Sequence, residues 1–136
     1  MKFDYTSQYT DFGIARMPLV FVEFSNPADS SKRRDVFSLV DSGAAATLIN
    51  AEYAQELGID LESGKRIPFQ GIKGAPAIGY EHLIKIRLTH DSHEFAVPCY
   101  FMPDLQISAL LGQSGFFENY KVLFERYKKR FEITPQ

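Results

Sequence analysis

The sequence predicts an all-β fold with one or two short helices, in a single domain that covers residues 1–136. Twelve Phe and seven Tyr favour strands, since aromatic residues suit a pleated, half-buried surface. Apolar and polar residues alternate over most of residues 83–88, which is the period of a strand. Nine Gly and seven Pro are spread along the chain, and turn residues of this kind separate short elements. A chain of 136 residues can bury a sufficient core without a disulfide or a metal.

Composition gives no indication of nucleic acid or a membrane as a partner. The formal net charge is −2, from 15 basic and 17 acidic residues, so no excess of positive charge is available to bind phosphates. No apolar run approaches the roughly 20 residues of a membrane span, and the first residues lack the apolar stretch of a secretion signal. The single Cys99 cannot form an intrachain disulfide and fits a reducing compartment. We therefore expect a cytoplasmic location.

The first forty residues predict a β-hairpin. Residues 17–24 form an apolar strand pattern, residues 26–31 are dense in turn-forming types, and residues 34–40 read as the returning strand. This second strand ends at Asp41. Residues 47–49 then resume an extended apolar segment.

One short helix is predicted over residues 51–57. Asn50 is a favourable N-cap, the following residues are helix formers, and Gly58 stands at the C′ position.

The second half of the chain predicts further strands. Residues 66–88 form a long hairpin whose tip lies among the glycines of residues 71–79. Residues 95–102 form a strand in which Pro98 indicates an edge or a bulge. The remaining predictions are a short buried strand at 108–112, a helical turn at 114–119, and a pair of strands at 122–124 and 130–133.

The segment Phe37-Ser38-Leu39-Val40-Asp41-Ser42-Gly43-Ala44 carries the main functional signal. An apolar run ends in a carboxylate, which is followed by a hydroxyl residue, a glycine and a small residue. This pattern places an ionisable oxygen at the rigid end of a buried strand. Asp-Ser-Gly taken alone is also typical of an ordinary turn.

Three landmarks occur in order along the chain: Asp41-Ser42-Gly43-Ala44, Gly71-Ile72-Lys73-Gly74, and Ala109-Leu110-Leu111-Gly112. Together they resemble the retropepsin-like aspartic proteases, the single-domain relatives of pepsin. That family has Asp-Ser/Thr-Gly-Ala, a glycine-rich flap, and a late pair of apolar residues before a glycine. The resemblance covers roughly residues 17–133.

The resemblance implies a closed acid-protease-like barrel that acts as a homodimer on a peptide or protein substrate. Each subunit would donate one Asp41, since none of the other aspartates is followed by Ser/Thr-Gly. Two carboxylates a few ångströms apart share one proton, and the ionised one can activate a water molecule as a general base. The implied activity is that of an aspartic endopeptidase with no metal and no organic cofactor.

The resemblance also assigns roles to individual residues. Asp41, Ser42 and Gly43 would form the catalytic loop, with Ser42 bonding across the dimer axis. Gly112 would pack near that loop, and Gly74-Ala75-Pro76 is an alternative flap tip. The residues implied to bind substrate are Ala44, Leu110 and the flap-tip residues Gly71, Ile72, Lys73 and Gly74.

The chain departs from the viral pattern at two linked positions. Viral retropepsins usually carry Arg after the late glycine and Asp two positions after the first glycine, whereas this chain has Gln113 and Ala45. The ion pair that helps to brace the viral dimer is therefore absent on both sides. This departure indicates a cellular or bacterial branch of the family.

The sequence leaves other interpretations open. A domain of the same fold could dimerise or bind peptides without hydrolysing them, because a fold does not guarantee a site. His90-Asp91-Ser92-His93 offers too few ligands for a metal site and is typical of a polar turn. Cys99 lies in an apolar strand and is expected to be a buried small hydrophobic residue.

Overall fold

The computed structural model describes residues 1–70 and 76–136, and within them the chain is built mainly from β-strands, as the sequence predicts. The strands are β1 (Lys2–Asp4), β2 (Thr6–Thr10), β3 (Gly13–Met17), β4 (Leu19–Asn26), β5 (Asp29–Val40), β6 (Leu48–Asn50), β7 (Lys65–Gln70), β8 (Pro76–Leu88), β9 (Phe95–Met102), β10 (Ala109–Leu111), β11 (Tyr120–Glu125) and β12 (Arg130–Pro135). Short 3₁₀ turns lie at Ala51–Ala54, Leu61–Ser63 and Arg126–Lys128, and another helical turn lies at Gln113–Phe117.

The principal sheet closes on itself. Its strands follow the order β4-β5-β10-β6-β9-β8-β7, and β8 also pairs with β4, so that six of these strands form a ring of hydrogen-bonded neighbours. The β5–β10 and β6–β9 pairs are parallel and the other pairs in the ring are antiparallel. Beside the ring lie a three-stranded sheet in the order β1-β12-β11 and the β2–β3 hairpin. The predicted closed all-β architecture is confirmed.

The core is one cluster that joins the inward-facing side chains of the ring with side chains of β11, β12 and the helical turns. Along a strand, successive side chains point alternately toward this core and away from it. In β4 and β5, Val22 and Val36 face inward and are buried, whereas Phe21 and Phe37 face outward with ring centroids 4.7 Å apart. The largest fully buried side chains are Tyr120, Phe24, Phe101, Phe116, Phe131, Ile49, Leu57, Ile84, Ile86, Leu88, Leu111 and Ile133.

The predicted hairpin of the first forty residues is the β4–β5 pair. Its turn is tighter than the sequence indicated, because β5 already begins at Asp29 and leaves only Pro27 and Ala28 between the strands. The two strands stay paired from Leu19 to Asn26, so β5 is fixed along its length up to the point where Asp41 follows.

The predicted helix at 51–57 is shorter and tighter than expected. Only Ala51–Ala54 is helical, as one 3₁₀ turn, although both predicted end signals are present. The Asn50 Oδ1 atom accepts a hydrogen bond of 3.0 Å from the Glu52 N–H, and Gly58 has φ +65°. Between the two caps, only the first four residues form a regular helical turn, and the residues that follow form irregular turns.

The predicted long hairpin is formed by β7 and β8, which pair from Lys65↔Glu81 to Gln70↔Pro76. Its predicted tip residues Gly71, Ile72, Lys73 and Gly74 lie outside the described residues, as does Ala75. Pro98 lies opposite Leu83 of β8, and the other neighbour of β9 in the described residues, β6, pairs only with Tyr100–Met102. Pro98 thus has one strand neighbour, as its missing N–H predicts.

Strands β1 to β3 were not predicted. Their residues are mostly polar or exposed, and Tyr9 and Ile14, which are paired across the hairpin, are 84% and 66% exposed. Without a buried face the alternation that marks a strand is lost. None of the helical turns in residues 1–70 and 76–136 has the length and apolar character needed to cross a membrane.

Candidate active site

Asp41 lies directly after the last residue of β5 and is held there from two sides. The Val40 N–H donates to the Pro18 carbonyl at 2.9 Å, and the Asp41 N–H donates to the Leu111 carbonyl at 3.0 Å. Strand β5 is also paired with β4 on one edge and with β10 on the other. The backbone that carries the Asp41 side chain is therefore fixed by the ring of strands.

The residues after Asp41 fold back on its carboxylate. The Gly43 N–H donates to Asp41 Oδ1 at 2.9 Å, and the Ala44 N–H donates to the Asp41 carbonyl at 3.2 Å. A Cβ atom on Gly43 would lie only 3.3 Å from Asp41 Oδ1. Asp41 and Ala44 are partly buried, whereas Ser42 and Gly43 are exposed. We call residues 41–47 the Asp41 loop.

The Asp41 loop is fastened to the segment that follows β10. The Gln113 and Ser114 N–H groups donate to the carbonyls of Ala44 and Ala45 at 2.8 and 2.9 Å. A Cβ atom on Gly112 would lie 2.2 Å from the Ala46 carbonyl oxygen, so only glycine allows this approach. The predicted packing of Gly112 beside the loop is thus present in the structure.

Two side chains complete this attachment through three hydrogen bonds, none of which was predicted from the sequence. Thr47 is fully buried; its hydroxyl donates to the Ser114 carbonyl at 2.8 Å and accepts from the Gly112 N–H at 3.3 Å. The Gln113 Nε2 group donates to the Ser42 carbonyl at 2.6 Å. No local signal could have identified these contacts, because each joins residues at least 65 positions apart.

Leu110 lies beside two further leucines that the sequence analysis did not single out. In β10 it pairs with Leu39 of β5 and with Leu48 of β6. All three are half-buried, whereas their chain neighbours Val40, Ile49, Ala109 and Leu111 are buried in the core. Alternation therefore places Leu39, Leu48 and Leu110 on the face that turns away from the core. We call them the leucine row.

Asp41 adjoins the leucine row, since it follows Leu39 by two residues, the spacing that keeps side chains on one face of a strand. A cavity of about 180 Å³ continues from Leu39 toward the β2–β3 hairpin and the segment before β10. It is lined by Gln8, Met17, Leu19, Phe37, Leu39, Gln106, Ile107 and Ser108. The strand that leads to Asp41 thus borders a partly apolar cavity with room for side chains, two residues before the carboxylate.

The polar residues of the 90–93 segment and Cys99 have structural roles. In the turn after β8, His93 Nδ1 lies 3.0 Å from Asp91 Oδ1, and His90 adopts φ +72°. Within the described residues no group of three or more His, Cys, Asp or Glu side chains is placed to hold a metal. Cys99 is fully buried, as predicted, and burial raises the pKa of its thiol.

Residues 31–118 match the model of the family described as "gag-polyprotein putative aspartyl protease". The match spans more than half of the chain and includes both the Asp41 loop and β10. The chain therefore belongs to this aspartyl protease family.

Solved structures with the same fold include one bacterial and one viral protease. The retropepsin-like aspartic protease from Rickettsia conorii superposes with a TM-score of 0.65 at 19% identity, covering 98% of each chain. The EIAV protease, in complex with the inhibitor HBY-793, gives a TM-score of 0.51 at 14% identity, covering 71% of this chain and 81% of that chain. The fold is thus retropepsin-like. No curated protein sequence matches the chain.

Proposed function

We propose that the protein is an aspartic endopeptidase that acts as a homodimer, with one Asp41 from each subunit at the active site. The observation that carries the proposal is the fixed position of the Asp41 carboxylate. It follows a strand paired on both edges, accepts the Gly43 N–H, and adjoins the leucine row. Membership of an aspartyl protease family supports this chemistry.

The reaction needs a second carboxylate. Asp41 is the only aspartate of the chain that is followed by Ser-Gly, so a two-fold axis next to Asp41 would supply the partner from a second copy. Two such carboxylates cannot both ionise cheaply and would share one proton. The ionised group then takes a proton from water, whose oxygen attacks the scissile carbonyl, while the protonated group polarises that carbonyl. The tetrahedral adduct collapses by breaking the C–N bond, and the proton taken from water passes to the leaving amine. The resulting pKa values belong to the pair.

The proposed substrate is an extended peptide bound beneath the β7–β8 hairpin by backbone pairing. Ala44 leaves space beside the carboxylates, and the flap-tip residues Gly71, Ile72, Lys73 and Gly74 stay predicted contacts. The leucine row favours apolar side chains at the cleaved bond, because removing apolar surface from water stabilises the complex. No metal or organic cofactor takes part in the proposed reaction.

The decisive experiment compares Asp41→Asn with Asp104→Asn, a change of an exposed aspartate in the loop after β9. Asparagine keeps the shape of the side chain but cannot act as a general base. We expect Asp41→Asn to lower cleavage of a peptide library at least about a hundredfold, with unchanged circular dichroism and unfolding midpoint. Asp104→Asn should cleave like the wild type. Undiminished cleavage by Asp41→Asn would overturn the proposal, and a folded, inactive wild type would favour a domain that only binds or dimerises.

A further inference from the structure

Gln113 is connected to the Asp41 carboxylate through a single peptide group. Its Nε2 group donates to the Ser42 carbonyl oxygen at 2.6 Å. The nitrogen of that same peptide belongs to Gly43, whose N–H donates to Asp41 Oδ1 at 2.9 Å. Because a peptide group is planar, a bond that fixes its oxygen also fixes the direction of its N–H. A donor on the oxygen further polarises the group and strengthens the N–H as a donor.

The other bonds between residues 41–45 and residues 111–114 come from the backbone. The N–H groups of Gln113 and Ser114 bind the carbonyls of Ala44 and Ala45, and the Asp41 N–H binds Leu111. These bonds form with any non-proline side chain at the donor position. Among the hydrogen bonds of the described residues, the Gln113 amide is the one side-chain link from residues 111–118 to the Ser42–Gly43 peptide. The identity of residue 113 therefore matters for this peptide.

A neutral amide also suits the surroundings. Ala45 offers no carboxylate with which a cation at position 113 could pair, and the carbonyl of Ser42 needs only a donor. Residues 111–117, which bond to the loop, and Pro18, whose carbonyl accepts the Val40 N–H, carry no ionisable side chain. Glu118 is the nearest acidic residue along the chain, and its Oε1 atom accepts the Gly115 N–H at 3.3 Å.

We infer that Gln113 is a positioning residue for Asp41: its amide holds the Ser42–Gly43 peptide so that the Gly43 N–H stays on the Asp41 carboxylate. This inference rests on the proposed function and adds a residue that acts on Asp41 without touching the substrate. Donation to the ionised carboxylate favours the charged form. Loss of the Gln113 amide should therefore make the Asp41 pair easier to protonate.

The test uses two substitutions that keep the length or bulk of the side chain. Gln113→Leu removes the donor. Gln113→Glu supplies a donor only while its carboxyl is protonated. The donor is therefore lost as the pH rises above about 4.3, the ordinary Glu pKa. The matched controls are Gln55→Leu and Gln55→Glu, at an exposed glutamine beyond the 3₁₀ turn at Ala51–Ala54.

For Gln113→Leu we expect kcat to fall about tenfold, as for the loss of one hydrogen bond, with KM unchanged. The acidic limb of the pH–rate profile should move to higher pH. For Gln113→Glu we expect an additional loss of rate as the pH rises through the ordinary Glu range, which neither the wild type nor Gln55→Glu shows. Unfolding midpoints and the dimer dissociation constant should stay at the wild-type values.

Variants of Gln113 that alter only stability or dimerisation, with wild-type kcat and pH profile, would overturn the inference. Should no variant and no wild-type protein cleave peptides, the proposed function fails, and the connection is then decided by ¹³C-carboxyl NMR titration of Asp41. An Asp41 pKa that rises in Gln113→Leu and stays unchanged in Gln55→Leu supports the connection. An Asp41 pKa that is the same in both proteins overturns it.

Discussion

Thr47 shows how much a single buried hydroxyl contributes to the Asp41 loop. It is fully buried and bonds to both sides of the 112–114 segment, as donor to Ser114 and as acceptor from Gly112. Both partners would lose a hydrogen bond if the hydroxyl were removed, and a buried polar group without a partner is costly. The loop therefore depends on Thr47 more than its small side chain suggests.

We expect Thr47→Val to lower the free energy of unfolding by about 1–3 kcal/mol in urea titrations. Thr10 provides a matched control, since its hydroxyl also makes one donor and one acceptor bond, to Gly13 and Phe12, but at an exposed turn. Thr10→Val should cost less than about 1 kcal/mol, because water can replace both partners. Equal losses in the two variants would show that burial of the Thr47 bonds is not what stabilises the loop.

A site residue could be predicted from the sequence when the features that mark it are adjacent in the chain. It could not be predicted when its role depends on a contact with a distant residue. The position of Asp41 could be predicted because an apolar strand, a carboxylate and a glycine stand next to each other in the sequence. The contacts of Gln113 could not, because its amide binds a carbonyl 71 positions away. Sequence reasoning identified Gln113 only as a departure from the viral pattern. The structure supplies the contact that gives this departure a physical meaning.

At the scale of elements, prediction succeeded where a strand has one buried face. Strands β4, β5 and β9 alternate between core and surface, and residues 95–102 were predicted with the bounds that the structure has. Strands β2 and β3 have no such face, and the β2–β3 pair is fixed by backbone bonds that leave no sequence pattern. The leucine row was likewise missed, since it forms only when β5, β6 and β10 are brought side by side.

The leucine row leads to a prediction about specificity. Leu110→Ala should lower kcat/KM at least about tenfold for peptides with a large apolar residue at the cleaved bond, because apolar contact area is lost. Leu83→Ala, on the outward face of β8 and 58% exposed, is the matched control and should leave the profile unchanged. Cleavage-site profiles on one peptide library measure both variants. Identical profiles for Leu110→Ala and Leu83→Ala would rule out contact between Leu110 and the substrate.

At the scale of the whole molecule, the closed ring explains how one strand end can be held rigidly by distant segments. Strand β5 receives support from β4, which precedes it, and from β10, which follows it by about seventy residues. Asp41 stands at the end of this doubly supported strand. The chain offers one Asp-Ser-Gly, so the proposed chemistry depends on a second copy rather than on a second motif.

That dependence can be measured by mixing wild-type subunits with Asp41→Asn subunits at fixed total concentration, after exchange through the monomer. If each active site takes one Asp41 from each subunit, an equal mixture contains wild-type pairs in about a quarter of its dimers, and the rate should fall to that fraction. If each chain cleaved with its own carboxylate alone, about half of the rate would remain. Mixing with Asp104→Asn subunits should leave the full rate, which controls for the exchange itself. A mixture with Asp41→Asn that retains half of the rate would contradict a shared site, since the rate would then follow the number of wild-type chains rather than the number of wild-type pairs.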